Sequence, residues 1–376
     1  MSEKNLLRYD IVGSFLRPAE LKEARAKFAA GEIDQAELKR VEDEEIRKLV
    51  PKEKAAGLKV VTDGEFRRSY WHLDTFWGFG GVDHVQAEHG YFFHGEETRR
   101  DAAKVVGKLT YEPGHPDVEA FKFLKEVADE VGGVAVRQSI PAPAQLYCEL
   151  ICRNEELIAA TDAVYPDHAE LAKDVSKVYH DLIQDLYDHG ARDVKLDDCT
   201  WGVLCDDEFW PAFSEGGRLK REEILQLYKE INENALVGLP ADLRVSTHIC
   251  RGNYDSHWAA QGGYAPAAPY VFKEKGIDAF YLEFDDDRSG GFEPLKEVPA
   301  DKEVVLGLVT SKKPDLEDPE RLKERIKEAG EFHPTAASAL STQCGFASTE
   351  EGNHLTEDQQ WAKIKLVIDT AKEVWG

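Results

Sequence analysis

Short β-type runs that alternate with longer helical patterns are the feature that most restricts the fold of this 376-residue chain. The β-type runs are Tyr9–Gly13, Leu58–Thr62, Val134–Gln138, Asp193–Leu196, Arg244–Thr247, Ala279–Leu282, Glu303–Leu308 and Ala339–Thr342. Amphipathic segments with apolar residues at helical spacing separate most of these runs. They are Glu20–Ala30, Gln35–Ala56, Pro166–His189, Arg221–Val237, Pro319–Ala329 and Thr356–Val374.

Eight strands that are each followed by a helix or a long loop predict an α/β fold of the (β/α)8 TIM barrel type. No Pro/Gly/Ser-rich tract divides the chain, so residues 1–376 are expected to form a single catalytic domain. A doubly wound open sheet is the alternative, but Val12-Gly13-Ser14-Phe15 is not the Gly-rich turn expected after its first strand. Arg67–Gly133 is long and aromatic-rich, which indicates an excursion over the barrel mouth after the second strand that could contain its own short hairpin.

The charge of the chain excludes several classes of partner. With 72 acidic and 47 basic residues the formal net charge is -25, so neither nucleic acid nor an anionic membrane surface is expected to bind. No stretch reaches the roughly 18 apolar residues of a membrane span, and the first residues lack the features of a signal peptide. We therefore expect a cytoplasmic protein whose six cysteines are free thiols, metal ligands or nucleophiles.

Polar and metal-ligating side chains follow most of the predicted strands. In a barrel these positions share the face at which catalysis occurs, so the side chains are expected to lie near one another. The residues concerned are Ser14, Asp63-Gly64-Glu65, Ser139, Asp197-Asp198-Cys199, His248-Ile249-Cys250, Glu283 and Cys344.

His248 and Cys250 form the strongest candidate metal site. Side chains alternate along an extended segment, so both residues point to the same side. Glu283 and Cys344 at other strand ends are the available third and fourth ligands. Sulfur, nitrogen and carboxylate ligands together favour Zn2+ over magnesium or calcium. The alternative is that His248 is a hydrogen-bonded core histidine and Cys250 a small buried apolar residue.

The remaining cysteines and a histidine series give weaker signals. Cys148 and Cys152 have i, i+4 helical spacing but no histidine partner, which favours a structural role. Cys199 and Cys205 lack the spacing of a zinc knuckle and are interpreted as spectators. Three histidines at five-residue steps fit neither helix nor strand and are interpreted as loop residues, one of which could donate a proton in the site. They are His84, His89 and His94.

Six segments spread over nearly the whole chain resemble the C-terminal catalytic barrel of cobalamin-independent methionine synthase, and in particular its shorter, single-barrel bacterial homologues. They occur in the order found in that family. The segments are Ile11-Val12-Gly13-Ser14-Phe15, Asp63-Gly64-Glu65, Val194-Lys195-Leu196-Asp197-Asp198, Thr247-His248-Ile249-Cys250, Tyr281-Leu282-Glu283 and Gln343-Cys344-Gly345.

The resemblance implies a zinc-dependent methyltransferase that methylates the thiol of homocysteine to give methionine. The donor it implies is 5-methyltetrahydrofolate in polyglutamate form. Zinc would be held by His248, Cys250, Glu283 and Cys344. The amino acid portion of homocysteine would be bound by Gly13, Ser14, Glu65 and Asp197, of which Glu65 and Asp197 are also the catalytic candidates. A carboxylate suits the α-ammonium group, and Ser14 suits the α-carboxylate.

The chain departs from that family on the side of the methyl donor. Methionine synthases of the family carry a Tyr-Asp-x-His-Ser run after the seventh strand, whereas this chain has Val309–Pro314 without a histidine. The family's pterin-stacking Trp is not found in Pro141–Tyr147, where Tyr147 is at best a substitute. The aromatic segment Tyr70–Phe79 is interpreted either as a different donor pocket or as a lid that only packs on the barrel. Arg67 and Arg68 are interpreted as a solvated pair, with contact to an anionic donor as the alternative.

Two further functions stay open at this point. One keeps the zinc and changes the thiol or the donor, as in epoxyalkane:coenzyme M transferases or in enzymes that use a non-folate methyl donor. The other is a zinc-stabilised barrel that binds a partner without catalysis. A closed four-ligand site would be structural, whereas a site open to an external sulfur would be catalytic.

Overall fold

The computed structural model describes residues 7–376 as a mixed α/β fold. Its strands in chain order are β1 Tyr9–Asp10, β2 Val60–Val61, β3 Gly80–Gln86, β4 Phe92–Phe93, β5 Glu96–Glu97, β6 Asp101–Thr110, β7 Ala135–Val136, β8 Gln138–Pro141, β9 Asp193–Asp198, β10 Arg244–Ile249, β11 Ala279–Glu283, β12 Glu303–Val309 and β13 Ser338–Thr342. Its α-helices are α1 Ala19–Ala29, α2 Gln35–Ala56, α3 Leu73–Phe76, α4 Pro116–Val131, α5 Pro143–Cys152, α6 Glu155–Val164, α7 His168–Asp188, α8 Thr200–Leu204, α9 Arg221–Leu236, α10 Ala268–Val271, α11 Pro319–Ala329 and α12 Glu357–Trp375.

The main sheet is a curled parallel sheet of seven strands in the order β1-β13-β12-β11-β10-β9-β8. Strands β9 to β13 are buried along nearly their whole length, as expected for parallel strands covered on both faces. β2 pairs in parallel with β7, and a single residue, Arg137, separates β7 from β8. The predicted run Val134–Gln138 is therefore two short strands, one paired with β2 and the other with β9.

Each of the six predicted helices is present, with ends within about two residues of the prediction. Their ends follow from local chemistry. Asp34 caps α2 by accepting a hydrogen bond from the Glu37 N–H, and Gly57 ends it in the left-handed region at φ 105°. Thr356 and Gln359 form a reciprocal capping box at the start of α12.

The stretch from Arg67 to Gly133 contains a short hairpin, as expected, and further regular structure that the sequence did not predict. An antiparallel pair, β3 with β6, and the small pair β4 with β5 lie there, followed by the 16-residue helix α4. Helix α4 was missed although Val118, Phe121 and Leu124 have helical spacing and are buried. Pro116 occupies its first turn, where proline is tolerated, and therefore starts this helix instead of breaking it.

A buried ionic network fills the centre of the sheet. The Arg137 guanidinium donates to Asp10 at 2.6 Å and to Asp193 at 2.9 Å, and the Tyr281 hydroxyl also donates to Asp10 at 2.5 Å. Lys195 is fully buried beside it, with its ammonium 4.9 Å from the centre of the Tyr281 ring. The network ties β1, the residue between β7 and β8, β9 and β11 together below the strand ends. None of the helices within residues 7–376 combines the length and apolar character of a membrane span.

Candidate metal centre and adjoining cavity

Four predicted ligands converge at the carboxyl ends of the sheet. His248 lies in β10, Cys250 directly follows it, Glu283 ends β11, and Cys344 follows β13. Their potential ligand atoms all lie within 4.8 Å of one another, and all four residues are buried. The two sulfur atoms are 3.7 Å apart. The structure thus brings the whole predicted ligand set together.

Backbone contacts hold these side chains in place. The Cys250 N–H donates to the Asp198 carbonyl at 3.1 Å, which continues the pairing of β10 with β9. The Arg251 N–H donates to Glu283 Oε1 at 3.1 Å, and the Gly252 N–H approaches Cys250 Sγ at 3.3 Å. Hydrogen bonds of this kind orient ligands, because each one restricts the rotamers of the side chain that accepts it.

The electrostatics of the cluster fit a cation. Both ring nitrogens of His248 and the Oε2 atom of Glu283 are buried without a hydrogen-bond partner in residues 7–376. Unpaired buried polar atoms are costly, and one metal ion would satisfy a ring nitrogen of His248 and Glu283 Oε2 together. The hydrogen bond with Cys199 raises the pKa of the Cys250 thiol, and the one with Cys250 raises the pKa of Cys344, with burial acting in the same direction. A divalent cation reverses this effect, because coordination deprotonates a thiol outright.

Gly202 in α8 packs against the backbone of a metal ligand and gives a test of the site's rigidity. A Cβ at this position would lie 2.1 Å from the Cys250 carbonyl oxygen. Gly202→Ala must therefore displace the ligand's own backbone, and we expect a loss of about 1–3 kcal/mol in unfolding free energy together with weaker zinc retention. Zinc content after dialysis against a chelator and urea unfolding would measure both.

Gly107→Ala in β6 is the matched control, because its nearest neighbour, Gly81 Cα, is at an ordinary 3.8 Å. Equal zinc retention in the two variants would show that the contact of Gly202 with Cys250 does not position the ligand.

The cluster opens on a cavity of about 450 Å³ that also holds predicted substrate residues. His248, Cys250 and Cys344 line this cavity, and so do Glu65 and Asp197. Ser14 also lines it and accepts a hydrogen bond from the Ala347 N–H at 3.3 Å. A site that faces a cavity is open to an exogenous ligand, which matches a catalytic and not a closed structural metal site.

Gly13 lies just behind this surface. A Cβ there would meet the Thr62 methyl at 3.4 Å and the Ser139 hydroxyl at 3.5 Å, and the backbone φ is +139°. The Thr62 hydroxyl donates to the Gly13 carbonyl at 2.6 Å, which joins the end of β2 to the segment after β1. Position 13 therefore suits a glycine for both space and conformation.

Glu65 and Asp197 form an acidic pair whose ionisation is shifted by burial. Burial raises the pKa of Glu65 to about 7, and Asp197 adds to the rise while Arg68 opposes it. Burial likewise raises the pKa of Asp197 to about 6, against the effect of Lys195. Glu65 has a φ of +59°, which is uncommon for a residue with a side chain. Glu65 Oε2 and Asp197 Oδ1 are both buried without a hydrogen-bond partner in residues 7–376, and buried carboxylates with shifted pKa values are typical of functional sites.

Several residues outside the predicted set also contribute to the cavity. Cys199, interpreted from its spacing as a spectator, lines the cavity and hydrogen-bonds to the Cys250 thiol. Cys148 and Cys152 line it as well, on and at the end of α5. The spacing of Cys148 and Cys152 places both on one face of α5, but it could not show that this face lines the cavity.

The histidines and arginines of the aromatic stretch separate into different environments. His89 lines the cavity, whereas His84 pairs with Asp101 and His94 packs on Trp258. The predicted solvated arginine pair is wrong. Arg68 is buried and donates to Asp117 at 2.7 Å, while the side chain of Arg67 is only 16% exposed and pairs with Glu42 and Asp43. Each arginine forms ion pairs with a different set of carboxylates, and these contacts shield both side chains from solvent.

The predicted aromatic segment contributes only its first part to the site. Tyr70, Trp71 and His72 line the cavity. Trp77 instead stacks on His84 at 3.8 Å between ring centres, and Phe79 is buried in the core. Tyr147 is buried too, and its hydroxyl donates to Glu215 at 3.1 Å, away from the cavity lining.

Comparison with known proteins gives a consistent result. The family described as "Cobalamin-independent synthase, Catalytic domain" matches residues 9–76 and 161–373. The protein YxjG of Bacillus subtilis, described as uncharacterized, is 41% identical over 374 residues, covering 99% of this chain and 96% of YxjG. A methionine synthase of Saccharolobus solfataricus is 24% identical over 351 residues, covering 92% and 90% of the two chains.

A solved structure is similar over the same length. It is a Listeria monocytogenes protein assigned provisionally to the vitamin-B12-independent methionine synthases. It shares 34% identity with this chain at a TM-score of 0.76, and the likeness covers 99% of this chain and 98% of that one.

A parallel sheet with a buried His/Cys/Glu/Cys cluster at its strand ends, beside a cavity lined by buried carboxylates, is the arrangement of an α/β enzyme with a candidate metal site. The chain belongs to the cobalamin-independent methionine synthase family and is a methyltransferase.

Proposed function

We propose that this chain transfers a methyl group to the thiol of homocysteine, giving methionine, with one Zn2+ held by His248, Cys250, Glu283 and Cys344. The observation that carries the proposal is the convergence of these four donor atoms within 4.8 Å, with His248, Cys250 and Cys344 on the wall of a cavity that Glu65 and Asp197 also line. Metal ligands and carboxylates on one cavity suit a substrate with a thiol at one end and an ammonium group at the other.

We further infer that the strands form a closed (β/α)8 barrel as one domain over residues 1–376. All eight predicted runs contain strands, and the pairing runs from β2 through β7 and from β8 around to β1. Between β1 and β2, the segments that follow the two strands are joined by hydrogen bonds from Thr62 to Gly13 and from Phe15 to Gly64. Residues 67–115 then form the excursion over the mouth, and the site lies at the carboxyl face as barrels require.

The donor set fits zinc. Two thiols, one imidazole and one carboxylate are ligands that zinc commonly takes. When bound, zinc supplies the deprotonation of a substrate thiol at neutral pH, which makes the sulfur nucleophilic. All six cysteines are free, which fits the reducing cytoplasm proposed from the sequence.

The residues around the cavity orient the substrate. Glu65 and Asp197, when ionised, bind the α-ammonium group, and the resulting ion pairs hold both carboxylates in their charged form. The Ser14 hydroxyl suits the α-carboxylate, and Gly13 leaves room for the backbone to approach. Holding the amino acid end in this way directs its thiol toward the metal ligands, which lowers the entropy cost of the transfer. The family resemblance makes 5-methyltetrahydrofolate the reference methyl donor.

The proposal is tested by metal content and product formation together. Purified protein is expected to contain about one zinc per chain, as a single four-ligand site requires, and to form methionine from homocysteine. Coenzyme M in place of homocysteine is the control for thiol specificity, since it lacks the ammonium group that Glu65 and Asp197 would bind. Protein that binds no zinc, or that alkylates coenzyme M in preference to homocysteine, would contradict the proposed function.

A further inference from the structure

Part of the cavity wall comes from the stretch between the two segments that match the family. Tyr91 lies just before β4, Glu149 lies in α5 and Arg153 follows α5, all between residues 76 and 161. All three line the cavity, as does His72. The four metal ligands lie in the matched segments. The thiol side of the cavity is therefore built from family residues, whereas this wall belongs to the unmatched stretch.

These four residues form a connected polar cluster. The Tyr91 hydroxyl donates to Glu149 Oε2 at 2.8 Å and lies 3.0 Å from His72 Nε2. The Arg153 guanidinium lies 3.7 Å from the centre of the Tyr91 ring, and its Nε is 3.6 Å from Glu149 Oε1. Arg153 is also held by the carbonyls of Gly90 and His89 at 3.1 and 3.0 Å. We call His72, Tyr91, Glu149 and Arg153 the Tyr91 cluster.

The Tyr91 cluster places two buried, unpaired acceptor atoms directly behind the cavity surface. The Tyr91 proton goes to Glu149, so its oxygen accepts from His72 Nε2–H, and His72 Nδ1 is left with a free lone pair. Burial and the nearby Arg153 and Arg68 charges lower the pKa of His72 to about 3, which keeps the ring neutral. His72 Nδ1 and Glu149 Oε1 are buried without a hydrogen-bond partner in residues 7–376, and both residues are only 4% exposed.

The charges around the cavity favour a cation as second substrate. Four carboxylates line it, whereas Arg153 is the only Lys or Arg side chain that does so among residues 7–376. Arg153 pairs with Glu149 and two carbonyls, and the other three carboxylates have no Lys or Arg partner within the lining that residues 7–376 form, so the cavity carries an excess of negative charge. Aromatic rings complete the lining, and a cation near such rings gains further attraction. They include Trp71, Tyr91, Phe93 and Tyr254.

We propose that the methyl donor of this enzyme is a small methylated onium compound, a sulfonium or a quaternary ammonium, bound by Glu149 and the aromatic lining of the cavity. The proposal rests on the proposed function for the thiol half of the reaction. It assigns Glu149 as a specificity-determining residue and the rest of the Tyr91 cluster as its support.

The reaction balances without a general acid. The substrate thiol first loses its proton to solvent. Its sulfur forms a bond to the methyl carbon, the carbon–heteroatom bond of the onium breaks, and the electron pair stays on the heteroatom. The products are a thioether and a neutral leaving group, either a second thioether or a tertiary amine. No proton is needed by the leaving group, which agrees with the neutral His72. Opposite charges combine in this step, which a cavity shielded from water favours.

Donor competition tests the proposal directly. The zinc-loaded full chain is given homocysteine with one of three CD3-labelled donors: S-methylmethionine as the sulfonium, glycine betaine as the quaternary ammonium, and 5-methyltetrahydrofolate. Labelled methionine is measured by mass spectrometry, and calorimetry measures the binding of each donor and of homocysteine separately. We expect labelled methionine with one of the two onium donors. Comparing these two donors shows whether the enzyme uses a sulfonium or a quaternary ammonium compound.

Glu149→Gln and Tyr91→Phe test the assigned residues. Loss of a buried charge opposite a cationic ligand is expected to raise the KM and the Kd of the onium donor roughly 10- to 100-fold. Zinc content and homocysteine binding should stay at the wild-type level. Tyr91→Phe keeps the ring and removes one hydrogen bond to Glu149, so a smaller rise is expected. Glu155→Gln, an exposed residue on the next helix, is the matched control.

The outcomes separate the two proposals. Label from 5-methyltetrahydrofolate alone, or a Glu149→Gln variant with unchanged onium affinity, would overturn the onium donor. The onium donor would also be overturned if none of the three donors gave methionine although calorimetry showed that homocysteine binds. Absence of homocysteine binding to the zinc-loaded protein would instead overturn the proposed function on which it rests.

Discussion

Cys250→Ser is expected to remove zinc from the purified protein and to abolish measurable methionine formation. Cys250 supplies one of four buried donor atoms, and its sulfur lies 3.7 Å from that of Cys344. A serine hydroxyl is a far weaker zinc ligand than a thiolate. The loss in activity should exceed the roughly 10- to 100-fold effect typical of removing an outer-shell partner. Metal analysis and the rate of methionine formation measure the two effects.

Cys205→Ser provides the control for this substitution. Cys205 is also a buried thiol, but it lies outside both the metal cluster and the cavity lining. The control should keep its zinc and its activity even if it loses some stability. Retention of stoichiometric zinc by Cys250→Ser would remove Cys250 from the ligand set.

Glu65→Gln is expected to lower kcat/KM for homocysteine by roughly 30-fold or more at pH 8, as loss of one partner of a buried charge pair does. In the wild type this constant should rise with pH as Glu65 ionises around its pKa of about 7. The variant should lack that step, because its amide does not titrate. Steady-state rates between pH 5.5 and 8.5, with zinc content measured in parallel, test this expectation.

The same substitution has an opposite effect on stability. The pKa of Glu65 is raised from 4.5 to about 7 on folding, so the folded state binds its proton more tightly than the unfolded state. The wild type therefore loses stability as pH rises from about 4.5 to about 7. Glu65→Gln avoids this loss and should have the higher Tm at pH 8, with the difference vanishing below pH 4.5.

Glu42→Gln separates a site effect from a general effect of buried carboxylates. Burial raises the pKa of Glu42 to about 7 as well, but its partners are Arg25 and Arg67 and it does not line the cavity. Its kcat/KM should equal that of the wild type. An equal fall in both variants would mean that Glu65 acts through stability and not through substrate binding.

The eight β-type runs, the six amphipathic helices named from the sequence and the His248–Cys250 pair could be predicted because each depends on a local pattern. β12 is continuously apolar apart from Glu303, and α7 alternates apolar and charged residues at helical spacing. His248 and Cys250 are two residues apart on one strand, so local geometry already places them together. Cys344 could be added because parallel strands bring their carboxyl ends to one edge.

The donor side of the cavity could not be predicted because it depends on contacts between distant segments. Tyr91 and Glu149 are 58 residues apart in sequence, yet they share a hydrogen bond. Cys199 reaches Cys250 only through the pairing of β9 with β10. Arg67 and Arg68 are likewise shielded from solvent by ion pairs with carboxylates on α2 and α4. These carboxylates are too far away in sequence for the spacing of residues to indicate the contacts.

X-ray absorption at the zinc edge, on the zinc-loaded protein with and without homocysteine, tests whether the four predicted ligands hold zinc and whether the substrate thiol joins them. The ligand set of His248, Cys250, Glu283 and Cys344 predicts two sulfur neighbours in the free enzyme. Addition of homocysteine is expected to raise the sulfur count by one, since the substrate thiol is activated at the metal. A protein that takes up no zinc, or a sulfur count that homocysteine leaves unchanged, would contradict this account.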